Sequence, residues 1–305
     1  MTIRYACVPV ANLWTAPEKV REVDLPSLGN PEGFHDWLGR MDLDRRKGLY
    51  GRLESQLLYG EPALVLEERE GWVRVCLPRQ FTHKDSRGYP GWVPAAHLGF
   101  TAEYHRAQEE GPFIFVTAYR SHLTLKKGET LTVSFMTRLP KMDEKDGEVI
   151  VLTPQGEKGR IPVCDITVTH RPPVTAPTAR VETARRFLGL AYLWAGMSSF
   201  GFDCSGFVHR VFEANGVSIP RDAGDQFRFG QKISSTEELL PGDLVFFAHE
   251  AGRGAIHHVG MAIGDNRFIH SPNTGNPVRL NNLADEPYRS EFCGGARYDG
   301  TEPLE

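Results

Sequence analysis

No run of apolar residues in this sequence is long enough to cross a membrane. The start, Met1-Thr2-Ile3-Arg4-Tyr5-Ala6-Cys7, passes directly into mixed polar chain without the apolar core of a secretory signal. An excess of one charge is missing too. Lys and Arg number 35 against 39 Asp and Glu, a formal net charge of -4, which offers no electrostatic reason for a nucleic-acid or anionic-membrane partner. Cysteine is sparse and odd in number. Cys7, Cys76, Cys164, Cys204 and Cys293 stand far apart with no CxxC pair, which fits neither a disulfide framework nor a zinc ribbon. The expectation is a reduced, cytoplasmic setting, with export of a trimmed chain as the alternative.

What is abundant is punctuation. The 305 residues include 31 Gly and 21 Pro, and 40% hydrophobic against 24% charged residues describes a folded, turn-rich chain of two or three domains. Ala63 to Glu67, Trp72 to Cys76 and Trp92 to Val93 are short β-prone runs bounded by Gly60-Glu61-Pro62, Glu70-Gly71 and Gly88-Tyr89-Pro90-Gly91. A weaker echo follows: Leu123 to Glu129 is a strand entering a turn, and Glu148 to Leu152 and Gly159 to Val163 are later strands. Two small all-β barrels are expected, over residues 1–100 and 101–172.

Arg171-Pro172-Pro173-Val174-Thr175-Ala176-Pro177 then favours extended backbone and marks a boundary. Beyond it, Val181, Ala184, Phe187 and Leu188 form one apolar helical face, with Thr178 as expected cap and Gly189 at the end. A second helix is expected over Ser205 to Asn215, stopped by Gly216. Leu244 to Phe247, His258 to Ile263 and Arg267 to His270 are β-like, the last two joined across Gly264-Asp265-Asn266. Residues 177–305 therefore form an α+β domain.

Asp203-Cys204-Ser205 sets a cysteine at the start of the second helix, where unpaired N–H groups and the helix dipole stabilise a thiolate. A thiol nucleophile needs a base, and the base needs a third group to orient it. If the loop holds three residues, Ile263 faces Arg267 and His258 lies diagonal to His270 on one face of the ribbon, with His257 pointing away. Cys204, His258 and His270 can then act as nucleophile, base and orienter. A packed structural cysteine and a cross-strand histidine pair remain the plain alternatives; no second cysteine or carboxylate stands at zinc-ligand spacing. No cofactor is called for.

Residues 177–298 resemble the NlpC/P60 family of papain-like cysteine peptidases. The matching blocks are Ala191-Tyr192-Leu193-Trp194-Ala195-Gly196, Asp203-Cys204-Ser205-Gly206-Phe207, Ile219-Pro220-Arg221-Asp222-Ala223, Leu240 to Phe247, His258-Val259-Gly260-Met261 and Phe268-Ile269-His270. Gly71-Trp72-Val73-Arg74-Val75 with Gly91-Trp92-Val93-Pro94 resembles the closing strands of bacterial SH3-like domains. The resemblance implies a Cys204–His258–His270 triad that cleaves peptidoglycan stem peptides, commonly between γ-D-glutamate and a diamino acid. Two SH3-like modules ahead of the peptidase are similar to the endopeptidases that trim freed murein peptides of the L-Ala-γ-D-Glu-diamino acid type.

That resemblance also implies substrate contacts for Tyr192, Asp203, Ser205 and Asp222, with Tyr192 donating to the oxyanion. Glu54 and Tyr89 are implied to read the free α-amine of the substrate's L-Ala. Each also has a plain structural reading, as packed aromatic, helix cap or surface charge. Two departures stand out: Ala195-Gly196 replaces the usual Gly-Gly, an expected mild change of one methyl, and His257 adjoins His258. A secreted hydrolase of intact wall, a non-catalytic peptide-binding protein and an acyltransferase with the same triad are the other readings.

Overall fold

Two hairpin turns of one kind organise residues 2–171. Glu70-Gly71 (φ 48° and 82°) and Asp146-Gly147 (φ 53° and 77°) are acidic-Gly pairs in the left-handed region, the backbone of a tight two-residue turn whose twist matches its strands. Around the first, Arg69 faces Trp72; around the second, Lys145 faces Glu148. The computed structural model describes residues 2–29, 31–126 and 128–300. Lys127, in the expected turn after Leu125, and the extreme ends of the first and last expected domains lie outside the described residues.

Among the described residues the first sheet comprises β1 (Ile3–Ala6), β2 (Val10–Trp14), β3 (Leu53–Leu58), β4 (Pro62–Arg69), β5 (Trp72–Leu77), β6 (Tyr89–Pro94) and β7 (Leu98–Gly99). The second comprises β8 (Phe113–Val116), β9 (Arg120–Leu125), β10 (Thr130–Ser134), β11 (Arg138–Lys145), β12 (Glu148–Leu152), β13 (Lys158–Pro162) and β14 (Ile166–Thr169). Their orders are β3-β2-β6-β5-β4-β1-β7 and β10-β9-β13-β12-β11-β8-β14, one topology used twice. Both are open, which corrects the expectation of closed barrels: among the described residues β3 and β7 do not pair, and neither do β10 and β14. Alternate inward residues such as Leu57, Val73, Val75 and Val93 fill the first core, and Leu123, Val133, Val149 and Ile161 the second.

Helices α1 (Pro31–Arg40) and α2 (Leu43–Lys47) lie in the long β2–β3 connection, and α3 (Ala102–Glu110), capped by Thr101, joins the two sheets. These sheets belong to one compact unit, Met1–Arg79 with Lys84–Arg171; the other is Gln80–His83 with Pro172–Glu305.

The second unit opens with α4 (Pro177–Arg185). Proline takes the first helical position and Ala176 the cap, so Thr178 lies inside the helix and is not the cap expected of it. The short pair β15 (Met197–Ser198) and β16 (Gly201–Phe202) precedes α5 (Cys204–Ala214). Phe207, Val208, Val211 and Phe212 on α5 are buried, each contributing roughly 1.5–3 kcal/mol. After α6 (Ala223–Phe229) come β17 (Gln231–Ile233), β18 (Leu244–Ala248), β19 (Ile256–Gly264), β20 (Arg267–His270), β21 (Arg279–Asn282) and β22 (Phe292–Arg297), ordered β17-β22-β18-β19-β20-β21. Helices first and an antiparallel sheet after make this unit α+β.

Candidate active site

Strand register builds the site. Gly264 faces Arg267 across a two-residue turn, Asp265-Asn266 (φ 50° and 58°), and a bulge at Ile263 absorbs the extra residue. The three-residue loop expected from sequence is thus corrected, yet Met261 still faces Ile269, so His258 and His270 remain diagonal neighbours on one face. Gly260 lies between them. A Cβ there would meet Phe268 at 2.6 Å and the His270 Cβ at 3.2 Å, so its bare backbone gives those rings their place.

The two imidazoles join at 2.6 Å, His258 Nε2 to His270 Nδ1, and His270 Nε2 lies 2.9 Å from Asn281 Oδ1. The Arg279 Nε–H donates to that same oxygen at 2.9 Å, which fixes it as the acceptor. The protons then follow in order. His270 carries its proton on Nε2 and accepts on Nδ1, so His258 carries its own on Nε2 and leaves Nδ1 as a bare lone pair. Burial pushes both imidazoles down, His258 well below its usual value with His270 and His257 adding to the shift, and His270 to about 4. Both are neutral at pH 7. Phe247 stacks on His258, with ring centroids 5.7 Å apart.

His257 is the extra residue of a second bulge: Phe247 faces His258 and Ala248 faces Ile256, leaving His257 unopposed. It is exposed, pairs with Glu291 at 3.3 Å and stacks on His249 at 4.3 Å. Neither contact involves His270.

Cys204 is the first residue of α5, half-buried, and Asp203 caps that helix by accepting the Gly206 N–H at 2.6 Å. The helix N-terminus does not leave the thiol ionised at rest. Burial, reinforced by the neighbouring Asp203 charge, pushes Cys204 up to about 12, outweighing the Val259 and Ser205 backbone groups and Arg221, which favour the thiolate. The resting pair is therefore a neutral thiol and a neutral imidazole. The Val259 contact places the sulfur against the residue that follows His258.

Tyr192 is buried, and burial together with Cys204 raises its hydroxyl well above the usual range, so it remains a donor. Ala195 takes φ +63°, the left-handed region that favours glycine. The added methyl is therefore a backbone strain of about 1–2 kcal/mol and not the mild change expected from sequence.

Asp203 and Ser205 meet a residue to which sequence reasoning gave no role. Arg221, 1% exposed, donates to Asp203 at 2.6 and 3.2 Å and to the Ser205 hydroxyl at 2.8 Å. Gln226, wholly buried on α6, donates to the Ser205 and Pro220 carbonyls at 3.1 and 2.8 Å. Asp222, the half-buried cap residue of α6, makes no side-chain capping bond. Within the same unit the Arg221 N–H donates to the Phe81 carbonyl at 2.9 Å, and Asp225 accepts from Thr82 and His83 at 3.3 and 2.9 Å. Only Arg221 carried a signal, its place in the Ile219–Ala223 block; Asn281, Arg279 and Gln226 lie outside any motif. In the other unit, Glu54 on β3 and Tyr89 on β6 meet: the Tyr89 hydroxyl donates to Glu54 Oε2 at 3.1 Å.

A thiol at a helix start, packed against a sheet that carries an aligned pair of neutral imidazoles, is the architecture of a papain-like cysteine peptidase. The chain belongs to the NlpC/P60 family of these enzymes, hydrolases acting on peptide bonds. Residues 189–297 match the NlpC/P60 family, residues 45–98 the bacterial dipeptidyl-peptidase Sh3 domain and residues 116–168 the YKFC SH3b2 domain. Gamma-D-glutamyl-L-lysine dipeptidyl-peptidase of Bacillus cereus is 40% identical over 299 residues, spanning 95% of this chain and 89% of that one. The enzyme of the same name from Bacillus subtilis is 40% identical over 291 residues, 94% and 96% of the two chains. A crystal structure of an NlpC/P60 family protein from Bacillus cereus superposes with TM-score 0.94 at 38% identity, covering 98% of this chain and 100% of that one.

Proposed function

We propose that this enzyme hydrolyses the amide bond between γ-D-glutamate and a diamino acid in peptidoglycan stem peptides whose N-terminal L-Ala amine is free. Cys204, His258 and His270 carry the reaction through a thioester. The supporting observation for the chemistry is the 2.6 Å bond from His258 Nε2 to His270 Nδ1, which leaves His258 Nδ1 as the base. For the substrate, the support is the name shared by the two relatives that match nearly the whole chain.

The Cys204 proton passes to His258 Nδ1 as sulfur attacks the γ-carbonyl carbon. The oxyanion accepts the Cys204 backbone N–H and the Tyr192 hydroxyl, and donors held in a dry site stabilise it strongly. His258, now an imidazolium, returns the proton to the departing amine of the diamino acid. A water then loses a proton to His258 and attacks the thioester, releasing L-Ala-γ-D-Glu and restoring the thiol. His270 keeps accepting from His258 Nε2–H throughout.

Glu54 and Tyr89 take the free ammonium of L-Ala, since burying a cation is costly unless a carboxylate pairs with it. The reaction is assigned to released peptides in the cytoplasm, consistent with a net charge of -4 that gives no attraction to an anionic wall; activity in the membrane or extracellular fraction of cells would refute that placement. The test of the reaction is mass analysis after incubation with free and N-acetylated L-Ala-γ-D-Glu-diamino acid tripeptides and with intact sacculi. Cleavage of the free tripeptide at the γ-glutamyl bond, with little of the acetylated one, is expected. Equal cleavage of both peptides would refute amine recognition, and cleavage at another bond would refute the substrate assignment.

A further inference from the structure

The Glu54–Tyr89 pair already holds a primary ammonium. Lys84 Nζ lies 2.8 Å from Glu54 Oε2, hydrogen-bonds the Tyr89 hydroxyl and sits 4.2 Å from the centroid of the Tyr89 ring. These are a carboxylate, a phenol oxygen and a π face on one cation, the set of partners that selects an alkylammonium. Glu54 and Tyr89 stand on strands β3 and β6, with Tyr89 only 2% exposed. Lys84 comes from the connection between β5 and β6 on a four-carbon stem, and its side chain is 34% exposed. Two rigid partners and one flexible, half-solvated guest make a site whose occupant can leave.

We propose that Lys84 is an internal competitor for the ammonium site, displaced when a substrate's α-amine enters, and thereby a specificity-determining residue. The inference rests on the proposed reading of Glu54 and Tyr89 as the amine site. Its physical content is twofold. An intramolecular ammonium keeps Glu54 neutralised in the free enzyme, so an incoming amine gains only the difference between its own pairing and that of Lys84. The apparent affinity falls by the fraction of molecules in which Lys84 occupies the site. A neutral N-acetyl end cannot repay the loss of the lysine's ion pair, so the competitor also works against the wrong ligand.

The test is steady-state kinetics on the full chain with Lys84→Met and Lys84→Arg, using the free and N-acetylated tripeptides, beside Glu54→Gln. Lys84→Met is expected to lower KM for the free peptide roughly fivefold with kcat unchanged, the worth of about 1 kcal/mol for a partly exposed ion pair. Lys84→Arg keeps a cation in place and should leave KM near wild type for both peptides, whereas Lys84→Met should lower KM for the acetylated peptide as well, which remains the poorer substrate because its neutral end gains no pairing with Glu54. An unchanged or raised KM for Lys84→Met, with Glu54→Gln still raising KM for the free peptide alone, overturns the competitor and leaves the amine site standing. If Glu54→Gln changes neither peptide, the amine site itself falls. Calorimetric titration with L-alanine amide gives a readout independent of turnover: tighter binding to Lys84→Met than to wild type is expected, and equal or weaker binding overturns the competitor.

Discussion

The Asp203–Arg221 and Glu54–Lys84 clusters have opposite designs. Asp203 and Arg221 meet at 2.6 Å with side chains 10% and 1% exposed, tied further to a helix cap and to Ser205. Glu54 and Lys84 meet at 2.8 Å with side chains 27% and 34% exposed. In the first, every oxygen and guanidinium nitrogen named has a fixed protein partner, and removing one side strands a buried charge. In the second, water can take over from either partner. A buried pair of this kind is scaffolding for Cys204, and a half-solvated one is a place for exchange.

The most damaging way to probe that contrast is to cut the buried histidine relay. His258→Ala should reduce kcat by several orders of magnitude, His270→Ala by less, since water can partly replace an orienting group, and His257→Ala only slightly. Steady-state turnover of the free tripeptide ranks the three; a larger loss for His257→Ala than for His258→Ala would mean that the base is misassigned.

Much of this relay was legible in the sequence and some was not. The blocks around Cys204, His258 and His270 give the elements, and the period of two along β19 puts His258 and His270 on one face. The hairpin detail was not readable, because a two-residue turn plus a bulge at Ile263 keeps the same register as a three-residue loop. Asn281 was invisible for another reason. It stands in β21, a four-residue strand with no alternation of burial, so no periodicity marks it, although it sets the proton order of both histidines. Helix α1 does carry a readable signal, Phe34, Trp37, Leu38 and Met41 at helical spacing, whereas the five residues of α2 are too few to show a period. The thiolate expected from the helix start failed on magnitude: burial outweighed it.

A second probe is Arg221→Ala, which leaves Asp203 buried without its guanidinium. Unfolding in denaturant should show a loss of about 3–5 kcal/mol. A loss below about 1 kcal/mol would place this pair with the solvated ones. Acid provides a gentler probe. His209, 5% exposed on α5, bonds the Pro220 carbonyl at 3.3 Å, and burial lowers its pKa to about 4. Its unfolded value is near 6.5, so between these two pH values the unfolded chain binds the extra proton and stability falls as pH falls. About 3 kcal/mol should be lost from this residue between pH 6.5 and 4, and His209→Gln should flatten that part of the curve. The smallest effect is expected from Ala195→Gly: relief of a left-handed alanine should raise stability by about 1 kcal/mol, measured as a higher denaturation midpoint.

Gly260 bears on how any survey of variants of this enzyme is to be read. It takes no part in proton transfer and touches no substrate in the scheme above. Yet every other residue type at that position would drive a carbon into Phe268 and crowd His270. A deep mutational scan would therefore score position 260 as intolerant as position 204. An inactive variant at Gly260 should still retain a Cys204 that can be alkylated, and the two kinds of failure separate on that measurement alone.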